Sequence, residues 1–374
     1  MAFVTGTAFG NNLTRIAWSS KLHRETQDRL FFQQRGMVRP DLGEEDTFER
    51  GKGGSGAPIV SQEALNGKRA QEVRVGLANQ LTTNRSAVTG ARSLDAQTYG
   101  TGNMIDNEET PALRNFIAYV EQMKHAASFD VPEIQDLRTE FKLTAVTADL
   151  LADWMAAEIE ESILDACYDQ HAGHVVAGVS SASVADPPAN NLQYANNKGS
   201  DGDLTSGDEL TSAELRRIFT WADVNNINPL RYMGQDCWIL LCHSYNYADL
   251  NGDSEFREAF QHGWQRAEKA SDNPLFDMAD AKYMGLYIHK YNRIRASATN
   301  ANARRCIVLG ADAIAEGITY RPHLARRKED RYGDLFGLAI KAINGWGRAD
   351  YAPQSGATLN QSLAIWGIHT STAV

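Results

Sequence analysis

Long apolar runs, cationic excess, proline and cysteine are all scarce in this chain, and each scarcity excludes something. The longest unbroken apolar stretch runs only from Cys237 to Cys242, against the roughly 20 residues that cross a bilayer as a helix. No membrane-spanning helix is therefore expected. Lys and Arg number 37 against 47 Asp and Glu, a net charge of -10, which leaves no broad cationic footprint for phosphate contacts. Sequence-specific nucleic-acid readout is not expected either. Ten prolines and 30 glycines in 374 residues exclude a collagen-like composition. The opening ten residues hold neither a basic n-region nor an apolar h-region, so folding in a reducing cytoplasm is expected. The four cysteines fit that compartment. Cys237 and Cys242 bracket the strand-like run Trp238-Ile239-Leu240-Leu241, and at that spacing their side chains face opposite ways. Cys167 and Cys306 sit in amphipathic or apolar surroundings, so all four thiols are expected to be buried and inert.

What is present is a globular balance, 43% hydrophobic and 22% charged, long enough at about 150 residues per domain for two or three domains or one large elaborated fold. Residues 12–34 are loosely helical through Leu13, Ile16, Leu22, Leu30 and Phe31, with Gly36 as the stop. The glycine-rich run at 51–56 contains Lys52, but Pro58-Ile59-Val60 follows where a phosphate loop requires a helix, so a turn is the better reading. Alternation over 72–78 and an extended pattern over 116–123, which also tolerates a helical reading, suggest a long hairpin. Its connection, 82–110, is rich in Thr, Asn, Gly and Ser, and a loop of that length implies function or packing on a partner. Residues 143–170 form the clearest helix, with Leu143, Thr147, Leu151, Met155, Ile159, Ile163 and Cys167 in one i+4 row. Its charges are all acidic: Asp149, Asp153, Glu158, Glu160, Glu161, Asp165 and Asp169. Such a face is either solvated or met by cations from elsewhere, with Arg326, Arg327 and Lys328 as candidate donors. Thr211 with Glu214 opens a further helix in a capping-box pattern. Strands over 236–242, 283–289 and 305–309 alternate with helical patterns over 254–265 and 311–316, as in an α/β domain. Strand-like patterns return over 335–343 and 363–368.

Recognisable chemistry is sparse. Asp249, Asn251, Asp253 and Glu255 alternate as a calcium loop begins, but Ser254 and Phe260 stand where an EF-hand needs glycine and a bidentate glutamate. Helix capping by Asp253 or Ser254 explains them better, and Asp201-Gly202-Asp203 is weaker still. Cys167, His171 and His174 could form a metal site, although imidazoles near a helix C-terminus are more simply dipole partners. No nucleophile elbow, dinucleotide fingerprint or zincin pair is present. Catalytic, cofactor-binding and metal residues are accordingly all expected to be none.

Several short motifs occur in a telling order. They are the run from Val73 to Leu81, Asp106-Asn107-Glu108-Glu109, the run from Glu121 to Ala126, Leu150-Leu151-Ala152-Asp153-Trp154, Asn228-Pro229-Leu230-Arg231, the run from Trp238 to His243, Asp249-Leu250, and Asn273-Pro274-Leu275-Phe276 followed by Gly285 and His289. Across about residues 18–310 the chain resembles the HK97-like major capsid proteins of tailed double-stranded-DNA bacteriophages, within them the N4-like branch. The resemblance implies an α+β HK97-like capsid fold. An N-terminal arm would occupy 1–65, an extended β-hairpin loop 66–127, and a peripheral domain 128–210 with its spine helix at 143–170. An axial α/β domain would occupy 211–325, with a return to the peripheral domain and a C-terminal tail over 326–374.

The resemblance further implies a non-enzymatic subunit of an icosahedral shell, assembling in the bacterial cytoplasm into hexamers and pentamers around packaged double-stranded DNA. It implies scaffold, portal and decoration proteins as partners, and no membrane. An encapsulin-like compartment shell, or a cytoplasmic α/β enzyme or binding module, are the alternatives. The incomplete ligand sets at Asp249 and at His171/His174 predict that chelation changes little. A melting temperature that falls sharply in EDTA and is restored by one specific ion would contradict this.

Overall fold

The computed structural model describes residues 31–39, 57–62, 72–78, 113–130, 143–168, 191–225, 227–232, 235–258, 279–297, 299–327, 335–351, 359–360 and 362–370. Among the described residues its α-helices include α1 (Phe31–Gln34), α2 (Leu143–Tyr168), α3 (Ser212–Val224) and α4 (Ser244–Gly252), and residues 254–258, the start of the helix expected over 254–265, are helical as well. The first eight strands are β1 (Val38–Arg39), β2 (Ile59–Gln62), β3 (Glu72–Ala78), β4 (Leu113–Tyr119), β5 (Glu121–Asp130), β6 (Leu192–Tyr194), β7 (Leu230–Tyr232) and β8 (Gln235–Cys242). There follow β9 (Ala281–Tyr283), β10 (Leu286–Lys290), β11 (Ala303–Leu309), β12 (Ile314–Arg326), β13 (Leu335–Arg348), β14 (Asp350–Tyr351), β15 (Leu359–Asn360) and β16 (Leu363–His369). Among the described residues no helix is long and apolar enough to cross a membrane.

Two mixed sheets carry the fold. One has the order β6-β16-β11-β8-β10-β9, with β7 also on β8; the other has the order β1-β2-β12-β13-β5. The first is organised by β8. Its alternate residues Cys237, Ile239 and Leu241 enter one core with α2 and the five-stranded sheet. Trp238, Leu240 and Cys242 enter a second core with Leu215, Ile218 and Ala222 of α3. A strand buried on both faces needs no polar alternation, which is why the longest apolar run of the chain lies here. Each fully buried large apolar side chain contributes about 1.5–3 kcal/mol relative to exposure. The backbones also approach closely: a Cβ on Gly310 would lie 2.1 Å from the Asn228 carbonyl oxygen, so only glycine fits there.

The expected pairing is present, with β3 and β4 antiparallel from Glu72 opposite Tyr119 to Ala78 opposite Leu113, but the strand expected over 116–123 divides: β4 ends at Tyr119 and β5 begins at Glu121 in the five-stranded sheet. The connection over 82–110, most of the arm and the glycine-rich run at 51–56 lie outside the described residues, as do His171 and His174. The helix expected over 143–170 runs Leu143–Tyr168.

Two further expectations need correction. The single strand over 283–289 is a hairpin: Met284 and Gly285 take positive φ, 47° and 85°, and β9 turns back antiparallel on β10. The helix expected over 311–316 is a turn followed by strand. Asp312 has φ 58°, and Ile314 and Ala315 pair with Ile59 and Val60 of β2. Small apolar residues at helical spacing were recruited by a neighbouring edge, a tertiary override of local pattern. The last strands also divide: β13 pairs with β5 in the five-stranded sheet, whereas β16 pairs with β11 in the other.

None of the four cysteines is in a disulfide, and all four are buried. Burial pushes the Cys167 and Cys306 thiols up to about 12. A disulfide reagent at pH 8 should therefore label no thiol until denaturant is added, because the thiolate is the nucleophile. Rapid labelling of the folded protein would show that a core opens readily.

Candidate functional site

The acidic helix is the most charged element and its partners define the centre of the molecule. Where Arg326, Arg327 and Lys328 were expected as donors, the structure brings up the segment after β10; Lys328 lies outside the described residues. Arg293 Nη1 lies 3.5 Å from both Glu160 Oε2 and Glu161 Oε1 and donates to the Ala157 carbonyl at 3.3 Å. Arg295 pairs with Glu161 at 3.6 Å and with Asp165. Its guanidinium also covers the Tyr168 ring at 5.6 Å. Of the two readings of the acidic face, cations from elsewhere in the same chain meet this part of it.

The helix end is closed as specifically. The last carbonyls of a helix lack intrahelical donors, and Arg348 Nη1 donates to the carbonyls of Cys167 and Tyr168 at 3.2 and 3.3 Å. Arg348 is 2% exposed, on the inner side of β13. The Tyr168 hydroxyl donates to the Arg305 carbonyl at 2.7 Å. On the outer side Leu150 is 63% exposed, and Trp154 stacks on His125 of β5 with ring centroids 4.7 Å apart.

The oxygen-rich segments hold loops together. Asp253 accepts from the Ser212 amide at 2.8 Å and the Glu255 amide at 3.2 Å, which is the helix-capping role expected of it. Asp201 accepts from the Ser297 hydroxyl and from Arg305 at 2.8 and 3.0 Å. The Thr211 hydroxyl caps α3 by accepting from the Glu214 amide at 3.4 Å. The reciprocal half of the capping box is replaced: the Glu214 carboxylate accepts from the Asn196 amide at 2.6 Å and pairs with Arg217. No group of three His, Cys, Asp or Glu among the described residues could hold a metal ion. A cleft of about 390 Å³ runs beside α3, lined by Trp221, Val224 and Trp366 with Arg216 and Arg217 at its rim. Arg216 is paired with Glu255 and Arg217 with Glu214, so both rim charges are already engaged.

Asp208 joins the loop before α3 to the end of β16, its carbonyl accepting from the His369 amide at 3.1 Å. Burial pushes its carboxyl up. Hydrogen bonds from Asn196 and Thr205, with Lys198 nearby, outweigh burial and hold it below the ordinary value of 3.8. A lowered folded pKa contributes stability that is full above the unfolded value and lost as pH falls through the folded one. Asp208→Asn should therefore cost stability at pH 7, with the gap to wild type closing below about pH 3.8; a gap independent of pH would contradict the assignment. Arg348→Leu should cost about 3 kcal/mol in urea denaturation by orphaning two buried carbonyls.

The comparisons with known proteins agree with one another. The family model described as phage capsid protein matches residues 7–370. The fold is similar to the capsid of Ralstonia phage GP4, with TM-score 0.70, 16% identity and 92% of each chain covered. It is similar also to the Cyanophage Pam1 capsid, with TM-score 0.66, 16% identity and coverage of 85% of this chain and 90% of that one. A third is the acid-stable capsid of Helicobacter pylori bacteriophage KHP30, with TM-score 0.61, 11% identity and coverage of 89% and 90%. No curated protein matches the sequence. Placement in the N4-like branch rests on the sequence motifs alone. A family match over nearly the whole length and the likeness in fold lead to the same place: this chain belongs to the phage capsid protein family and is a structural, non-enzymatic subunit of a phage capsid with the HK97-like fold.

Proposed function

We propose that the chain is the major subunit of a tailed phage's icosahedral shell, assembling in the host cytoplasm into hexamers and pentamers that enclose double-stranded DNA. The observation that carries this reading is the family match over residues 7–370. In this reading α2 with the five-stranded sheet is the peripheral domain, and the seven-stranded sheet with α3 and α4 is the axial domain. The boundaries expected at 210 and 325 are then crossed by β6, β12 and β16, because each sheet takes strands from both sides of them. The β3–β4 hairpin is the base of the extended loop over 66–127, and residues 1–65 are the arm. A net charge of -10 suits a wall that must not trap a polyanion. Scaffold, portal and decoration proteins are the partners such a shell would take.

Electron microscopy and light scattering of the purified full-length protein test this. Capsomers or closed shells are expected, with the phage's scaffold supplied if needed. Compact monomers at every salt and protein concentration, scaffold included, would overturn the proposal. Replacing residues 79–112 by a two-residue turn should leave the fold's melting intact and abolish shells, if that connection is spent on neighbours rather than on its own subunit.

A further inference from the structure

Glu160 stands in the middle of α2, 8% exposed, and its two oxygens face different parts of the chain. Oε1 accepts from the Phe31 amide at 2.7 Å. Oε2 accepts from the Tyr291 hydroxyl at 3.2 Å and lies 3.5 Å from Arg293 Nη1. The Phe31 ring stacks on Tyr291 with centroids 4.5 Å apart, and Phe32 meets the same ring edge-on at 5.5 Å. Arg35 then reaches the end of β10 and the residue before β9, 3.5 Å from His289 Nδ1 and 3.8 Å from Asp280. Gly36, at φ 67°, turns the chain into β1, which pairs with β2 at the edge of the five-stranded sheet. Nine residues, 31–39, therefore touch the central helix, the end of β10 in one sheet and the edge of the other sheet.

A four-residue helix and a two-residue strand cannot hold their own shape in water. Two anchors, Phe32 and Met37, are fully buried, but apolar burial is non-directional and does not set where the segment points. The hydrogen bonds and ion pairs do. We propose that residues 31–39 are a strap that fixes the two sheets relative to each other, with the Glu160 carboxylate as its catch. With the catch made, the strap, α2 and the segment 289–294 move as one body. Without it, strap and segment come free of α2 together while the interior of the seven-stranded sheet stays closed.

Hydrogen exchange on the unassembled full-length chain reads this directly, independently of whether shells form. Glu160→Ala should raise exchange about tenfold or more across 31–38 and 289–294 together, since a buried charged acceptor is lost, and leave 237–242 and 305–309 unchanged. Glu160→Gln, which keeps an acceptor for the Phe31 amide and loses the pairing with Arg293, should give a smaller rise in the same two segments. Tyr291→Phe keeps the ring stack and loses one hydroxyl, and should behave like Glu160→Gln. Trypsin cleavage after Arg35 should rise in the same order. If Glu160→Ala does not fold, the two milder variants decide. No rise in either segment, a rise in one without the other, or an equal rise in 237–242 would each overturn the proposal.

Discussion

A helix of 26 residues whose charges are all acidic cannot organise a protein alone, and this one sits at the centre of the larger core. Its like charges at i, i+3 and i+4 repel, and its C-terminal carbonyls add negative potential where Asp165 stands. The remedy comes from Arg293, Arg295 and Arg348, which lie in other elements and far along the sequence. Exposed pairs of this kind contribute only about 0–1 kcal/mol each. The exceptions are the two sites where burial makes a missing partner costly: Glu160, with its donors from two segments, and Arg348, with its two carbonyls. Around those two points the helix, the five-stranded sheet and one face of the seven-stranded sheet share a single apolar interior.

The second core depends on the first through β8. Because its alternate side chains supply both interiors, neither can be repacked without moving the other. A shift of one residue in register would exchange the two sets of side chains. The close approach at Gly310 and the parallel pairing of β10 on β8 pin that register.

How much of this was legible in the sequence follows from how local each feature is. The i+4 row from Leu143 to Cys167, the apolar run from Cys237 to Cys242 and the Thr211 cap depend on nearest neighbours, and all three were readable. The turn at Met284-Gly285 carries a single glycine as its local mark, and the residues around it read as one strand over 283–289. The segment 311–316 reads locally as helix because Ile314 and Ala315 become strand only by pairing with distant partners, β2 more than 250 residues earlier and β13 some 30 residues later. The arginines that serve α2 carry no local mark: Arg293 and Arg295 look like any charged pair after a strand, and their role exists only once β10 has been placed against the helix. The other half of the Thr211 capping box failed similarly, since Glu214 was claimed by Asn196 and Arg217. The shell function was read from the order of motifs along the chain, whereas the strap at 31–39 could not be foreseen.

The distance between Arg348 and the carbonyls it covers has a consequence for synthesis. A ribosome delivers α2 some 180 residues before the side chain that closes its end, and delivers β2 long before the β12 strand that flanks it. The seven-stranded sheet waits longer still, for β16. Neither core can close progressively from the N-terminus, so folding depends on long-range pairings that form late. A nascent or truncated copy consequently lacks the finished surfaces of the subunit. A copy that stops short of β16 leaves the β11 edge of the seven-stranded sheet unpaired, so unfinished chains present a different surface to one another from finished ones.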